Sequence, residues 1–316
     1  KTSTILNTVL SLNAMNFEKY PWLAEISSPE AVAAIDKAQQ SYQQTGAAIF
    51  PNFLTPIGLK ACIQDAQAQE STAFTTDDFH TAYLRPINEN TDPLSVENLE
   101  MRTQVASIAY DELPTNSVLG SVYEHPTLRK LVSKIVGKET IYLSDDSLGC
   151  CSINVFRPGY HHSFHFDESE FSTTLMLQES ETPGTGLFQY TKPLRDTPDD
   201  LALSSVAHAI NTYATDAVAK SLLEASVKET NNKNDKSNSS STTIPSLHTL
   251  DFVPGTLSIF AGSKSLHRVT KVEGKVSRLV AVFTFASQPG FQNTPAIQKM
   301  FWGRSSSVPR GKKLEE

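Results

Sequence analysis

Three of the chain's eight histidines fall within five positions, at His161, His162 and His165, and the third opens the triplet His165-Phe166-Asp167. Residues i and i+2 of a strand share a face, so this triplet can bring an imidazole and a carboxylate to one point. A further histidine, His267, follows a turn and an apolar strand at 253–260, and Arg278 comes eleven residues later, just before Leu279-Val280-Ala281-Val282-Phe283. A lone His-x-Asp is a weak signal; joined to a distant histidine on a late strand and then to an arginine, it is a much stronger one. Two imidazoles and one carboxylate on one side of a metal leave three coordination positions open, which suits non-haem Fe(II). Arg278 among apolar β residues demands a partner, because an unpaired buried guanidinium is costly. The carboxylate of a bound organic acid, gripped by the two-pronged guanidinium, would supply one. His161 and His162 are explained equally well by a turn beside a polar cleft and are left outside the metal group. Glu168 and Glu170 read as solvated loop charges.

Such a group needs strands to present it, and the second half of the chain supplies them. Residues 141–143, 152–156, 172–177, 186–190, 256–260 and 279–285 read as short strands separated by turns. The front of the chain is helical. Ser28-Pro29-Glu30 opens a helix that runs to 44, with Ala31, Ala34, Ile35 and Ala38 at helical spacing, and Gly46 stops it. A short strand at 47–50 follows. Thr55-Pro56 caps a second helix to about 69, and Pro126 opens a third to 137 with Leu128, Leu131 and Ile135 on one face. Helices followed by a run of strands predict an α+β protein built on a β-sandwich or barrel. Residues 199–227 read as one or two helices leading into a polar, low-complexity insertion at 229–243. A single domain over 1–303 and a frayed tail at 304–316 complete the expected organisation.

Composition narrows the function classes. The chain has 316 residues, a formal charge of −7 and 39% hydrophobic residues, so it can bury a core and carries no basic excess for nucleic acid. No apolar run approaches the length of a membrane-spanning helix. Residues 1–13 lack a secretory pattern, and the three cysteines (Cys62, Cys150, Cys151) have no zinc-type spacing. The expectation is a cytoplasmic protein with buried thiols, a small-molecule substrate and no nucleic-acid, membrane or obligate protein partner; a targeting segment removed from upstream of Lys1 would alter only the compartment.

The motifs together resemble the Fe(II)- and 2-oxoglutarate-dependent oxygenase superfamily. They are T-A-Y-L at 81–84, I-N-V-F-R-P-G at 153–159, H-F-D-E-S-E-F-S-T-T-L-M-L-Q at 165–178, G-L-F-Q-Y at 186–190 and P-G-T-L-S-I-F-A-G-S-K-S-L-H-R-V-T at 254–270. The likeness spans roughly residues 46–290. Within the superfamily the chain is similar to the algal kainoid synthases, which cyclise N-prenylated glutamates. The resemblance implies a double-stranded β-helix (jelly-roll or cupin-like) core with helical N-terminal buttresses. It implies iron held by His165, Asp167 and His267, with 2-oxoglutarate and O2 as cosubstrates. Arg278 would bind the distal carboxylate of 2-oxoglutarate, with Asn154 and Thr174 as further contacts. Val280 stands where such proteins often carry a hydroxyl two residues after the arginine, so Thr256 would have to help. Asp167 keeps the carboxylate that halogenating members lack, which disfavours halogenation.

The substrate side is thinner. An acidic amino-acid substrate needs cations near the metal, and Arg102, Arg157 and Lys264 are the candidates, with Tyr160 available to pack against an apolar chain. Oxidative C–C cyclisation of an N-prenylated glutamate is the reading. Hydroxylation or desaturation of a free amino acid is the alternative within the superfamily. A redox-inactive metal hydrolase or isomerase on a cupin-like barrel is the alternative outside it.

Overall fold

The computed structural model describes residues 14–214 and 244–310. The expected insertion at 229–243, the helical segment beyond 214 and the last residues of the expected tail, 311–316, lie outside that range. The helical front forms as its capping residues dictate. Helix α1 (Pro29–Thr45) starts at Ser28, whose side chain accepts from the Ala31 N–H, and ends at Gly46 with φ 88°, a left-handed conformation that favours glycine. Strand β1 (Ala47–Phe50) follows directly. Helix α2 (Pro56–Gln69) is capped in the same way by Thr55, which accepts from the Gly58 N–H. Two short helices, α3 (Val118–Glu124) and α4 (Pro126–Ile135), complete the group.

Two antiparallel sheets make the core. The larger has the order β1-β10-β7-β12-β5-β3-β2, with the two-residue β4 (Tyr142–Leu143) also paired to β12. Its members are β2 (Phe74–Thr81), β3 (Glu100–Ile108), β5 (Cys151–Phe156), β7 (Phe171–Gln178), β10 (Leu257–Phe260) and β12 (Arg278–Ala286). The smaller sheet has the order β6-β11-β8-β9, from β6 (His162–His165), β8 (Phe188–Thr191), β9 (Leu247–Thr249) and β11 (His267–Val269).

The period-two alternation of the large sheet divides its residues between two environments. On β12, Leu279, Ala281, Phe283 and Phe285 join the main apolar core with Leu128, Leu131 and Ile135 of α4. Arg278, Val280, Val282 and Thr284 point the other way, into a cavity between the sheets. Strand β5 does the same: Cys151, Ile153 and Val155 are in the core, whereas Ser152, Asn154 and Phe156 line the cavity. Cys62, Cys150 and Cys151 are all buried free thiols. Helix α5 (Leu203–Tyr213) sits in a separate cluster with Phe164, Phe166 and Leu266, beside the small sheet.

The C-terminal part packs back onto the sheets and the helical front. A helix, α6 (Pro295–Trp302), forms behind the Thr294 cap, where the sequence predicts none. Within 304–310, Arg304 pairs with Asp111 and Glu112, and Arg310 with Glu124. Among the described residues, no helix is long and apolar enough to cross a membrane.

Phe283 is fully buried at the centre of the main core and faces away from the cavity. Phe283→Ala should therefore lower the unfolding free energy by about 3–5 kcal/mol in urea titration while the folded variant keeps its metal affinity. A loss well under 1 kcal/mol would show that this layer is not the packed core described.

Candidate functional site

Strands β6 and β11 pair antiparallel with His165 directly opposite His267, so the two imidazoles stand side by side with ring centroids 4.1 Å apart. Asp167 lies two residues beyond His165, and its backbone N–H donates to the Gly262 carbonyl. Its Oδ1 comes within 3.4 Å of His165 Nε2 and 3.2 Å of His267 Nε2. One ligand atom from each of the three side chains falls within 4.8 Å of the others.

The backbone fixes the tautomers. His165 Nδ1–H donates to the Ser163 carbonyl at 2.8 Å and His267 Nδ1–H to the Ser265 carbonyl at 3.0 Å. A carbonyl can only accept, so each Nε2 carries its lone pair into the centre, where it meets the Asp167 carboxylate. Three converging acceptors call for a cation, and two imidazoles with one carboxylate suit a divalent transition metal. Burial pushes the His165 imidazole below its usual range and so favours the neutral ligand form. Ser172 Oγ donates to Asp167 Oδ2, which orients the carboxylate. Gly262 packs against the same carboxylate so closely that a Cβ there would overlap Asp167 Oδ2.

Two more histidines stack onto this group. The His162 ring lies 3.8 Å from that of His165 in a stacked pair, and His80 meets both edge-on. His80 is fully satisfied, through the Thr81 carbonyl and the Thr103 hydroxyl, and burial pushes its pKa down to about 3. It is a neutral packing partner. His162 is also buried, and its Nε2 has no hydrogen-bond partner.

Arg278 is 1% exposed and lines the same cavity as the three ligands. Its carbon Cζ sits 5.4 Å from the Phe156 ring centroid, while Nε and Nη1 have no hydrogen-bond partner. Burial lowers its pKa to about 10, so it stays cationic at neutral pH and lacks an anion. Asn154 and Thr174 line the same cavity. Thr256 is buried with an unpartnered hydroxyl but is not among the lining residues.

The cations expected on the substrate side are elsewhere. Arg102 makes a two-pronged pair with Asp77 at 2.8 Å on the exposed face of β3. Arg157 donates to Thr75 Oγ1 and to the Glu70 carbonyl. Lys264 is exposed in the loop before β11, and Tyr160 packs on the apolar clusters. None of the four lines the cavity. Charge marks a residue as polar but does not say which strand face carries it. His80, Gly262 and Trp302 carry no such mark in the sequence, because they join the site only through pairings between distant segments; Ser172 is local to Asp167 but reads as an ordinary strand serine, and His162 was weighed and left outside the metal group. The one available signal was the proximity of His162 to the His-x-Asp triplet.

No protein-family profile matches the chain, and no curated protein matches it in sequence. Among solved structures it is similar to SnoN, a non-heme alpha-ketoglutarate-dependent epimerase from nogalamycin biosynthesis, at 10% identity and TM-score 0.51 over 81% of each chain. It is also similar to an oxidoreductase of the 2OG-Fe(II) oxygenase family from Burkholderia pseudomallei, at 11% identity and TM-score 0.44, over 81% of this chain and 92% of that one. SnoK, an alpha-ketoglutarate-dependent carbocyclase from the same nogalamycin biosynthesis, matches at 12% identity and TM-score 0.45 over 86% and 92%. The likeness to SnoN at this identity establishes the fold, a double-stranded β-helix with added helices.

Ser172→Ala removes the donor that orients Asp167 and should weaken Fe(II) affinity by about 10–100-fold in competition with a coloured chelator. Gly262→Ala, which forces the carboxylate aside, should weaken it at least as much. Native affinity in both variants would remove Asp167 from the metal group.

Proposed function

We propose that the protein is an Fe(II)- and 2-oxoglutarate-dependent oxygenase acting on a small amino-acid-derived molecule. The observation that carries this reading is the fully buried, unpartnered Arg278 guanidinium opening into the same cavity as the His165–Asp167–His267 group. A metal site alone is compatible with many chemistries. A buried cation that needs a carboxylate, at the far end of a metal-bearing cavity, fits a dicarboxylic keto acid that spans the two.

In this reading His165, Asp167 and His267 hold Fe(II), which when bound supplies oxygen activation coupled to decarboxylation of 2-oxoglutarate to succinate. Arg278 grips the distal carboxylate and sets the depth of the keto acid. Asn154 and Thr174 bound its path. Val280 and Phe156 close the sides of that path and exclude water, which strengthens the guanidinium–carboxylate attraction. Phe188 and Phe260 pack edge-on and line the cavity near His267, keeping the ligand ring fixed.

The finer reading is oxidative C–C cyclisation of an N-prenylated glutamate. What supports it is the sequence resemblance and a cavity lined by apolar and aromatic side chains as well as polar ones. Hydroxylation or desaturation of a free amino acid uses the same machinery and differs only in the fate of the substrate radical.

The test is anaerobic. Fe(II) and then 2-oxoglutarate added to metal-free protein should give the weak visible charge-transfer band of a chelated keto acid. His165→Ala should abolish the band in a folded protein. Arg278→Ala should require far more 2-oxoglutarate, consistent with about 2–5 kcal/mol for truncating one side of a buried charge pair. No band in folded, iron-treated protein would favour the redox-inactive hydrolase or isomerase reading. Succinate release with N-prenyl-L-glutamate, against release with free amino acids, then separates the finer readings.

A further inference from the structure

The cavity continues past the metal ligands, away from Arg278, to a wall formed by α6. Leu84, Ile297, Phe301 and Trp302 line this end, with His162 and Glu168 beside them. The helix is fixed in place by Asp146, which is fully buried. Asp146 Oδ1 accepts from Gln298 Nε2 and from the Leu148 N–H, and its Oδ2 accepts from the Asn293 backbone and side chain. A second tie comes from the loop carrying Asp167, since Glu168 Oε2 accepts from the Thr294 N–H at the helix cap. The wall is therefore preorganised relative to the metal ligands.

Two polar atoms at this end have no partner. Trp302 is 8% exposed and its indole Nε1 is buried and unbonded; His162 is 6% exposed and its Nε2 is in the same condition. An indole N–H can only donate, and buried donors without acceptors are rare in folded proteins because they forfeit hydration without replacing it. Among the described residues Arg278 is the only Lys or Arg lining the cavity, so recognition of an acidic group at this end falls to neutral donors.

We propose that Trp302 and His162 are the recognition groups for the organic substrate, an amino acid carrying an apolar arm. Its carboxylate accepts from Trp302 Nε1–H and meets the His162 ring nitrogen. Its amine turns toward Glu168, and its arm lies against Leu84, Ile297 and Phe301. This assignment rests on the oxygenase reading for the identity of the metal end, but it is tested separately.

The chain has only two tryptophans, Trp22 and Trp302, and Trp22 lies in the aromatic group of Tyr20 and Phe50 beside the helical front. Protein with 15N-labelled indoles, loaded with Zn(II) and 2-oxoglutarate, should thus give two resolved indole resonances. N-prenyl-L-glutamate should move the Trp302 resonance and leave that of Trp22 in place. Prenylamine, which keeps the arm and the amine but has no carboxylate, should not move the Trp302 resonance. Trp302→Phe keeps the ring in the wall and should weaken calorimetric binding of N-prenyl-L-glutamate about tenfold, as expected for one lost hydrogen bond to a charged group. The 2-oxoglutarate band of the Fe(II) form should be unchanged in that variant. Binding without a Trp302 shift, equal affinity in Trp302→Phe, or no binding to protein that shows the keto-acid band would each overturn the proposal. Loss of the keto-acid band in the native protein would count instead against the oxygenase reading.

Discussion

The antiparallel register that sets His165 opposite His267 is the constraint on which the site depends. A strand slipped by one residue turns every side chain to the opposite face. Here that slip would replace His267 by Arg268, which lies on the far side against Phe164. The strands that hold this register are only four and three residues long, so their own ladder is not enough to fix it. The surrounding structure supplies the rest. Strand β8 pairs β11 from its other side, Asp167 is tied to Gly262, and the stacked His162 ring and the edge-on His80 ring buttress His165.

The large sheet carries the other half of the arrangement. Because β12 alternates between a wholly apolar face and a cavity face, its first residue can place a guanidinium at the bottom of the cavity while its neighbours anchor the strand in the core. Leu279 and Phe283 hold the strand; Arg278 uses the position they fix. An isolated buried cation would be strongly destabilising. In this protein its cost is offset by the surrounding packing, and in the proposed complex by a carboxylate. The metal-ligating group beside the small sheet and the guanidinium on the large one thus face a single cavity.

Much of this was legible in the sequence. The His-x-Asp triplet, His267 and Arg278 stood out because charged residues embedded in apolar, alternating segments have few structural explanations. The capped helices were equally clear, since Ser28, Thr55 and Gly46 act within one turn of chain. What escaped was set by tertiary context. Strand β2 (Phe74–Thr81) contains two aspartates and is largely exposed as the sheet edge, so it carries no clean apolar period. Strands β6 and β11 are short and polar, so only the histidines they carry marked them in the sequence. Arg102 and Arg157 were placed near the substrate on charge alone, but local partners on β2 and α2's end claim them. Trp302 was invisible as a site residue, because helix α6 reaches the cavity only through its ties to Asp146 and Glu168.

The claim that Arg278 and the metal group together read a dicarboxylic keto acid is tested most directly by comparing two keto acids in one calorimetric experiment. Mn(II)-loaded protein would be titrated anaerobically with 2-oxoglutarate and with 2-oxobutyrate, which shares the chelating end but lacks the distal carboxylate. The account predicts that 2-oxoglutarate binds at least about thirtyfold more tightly, the equivalent of about 2 kcal/mol for the charge-assisted contact, and that Arg278→Ala abolishes this preference. Equal affinities in the native protein would contradict it.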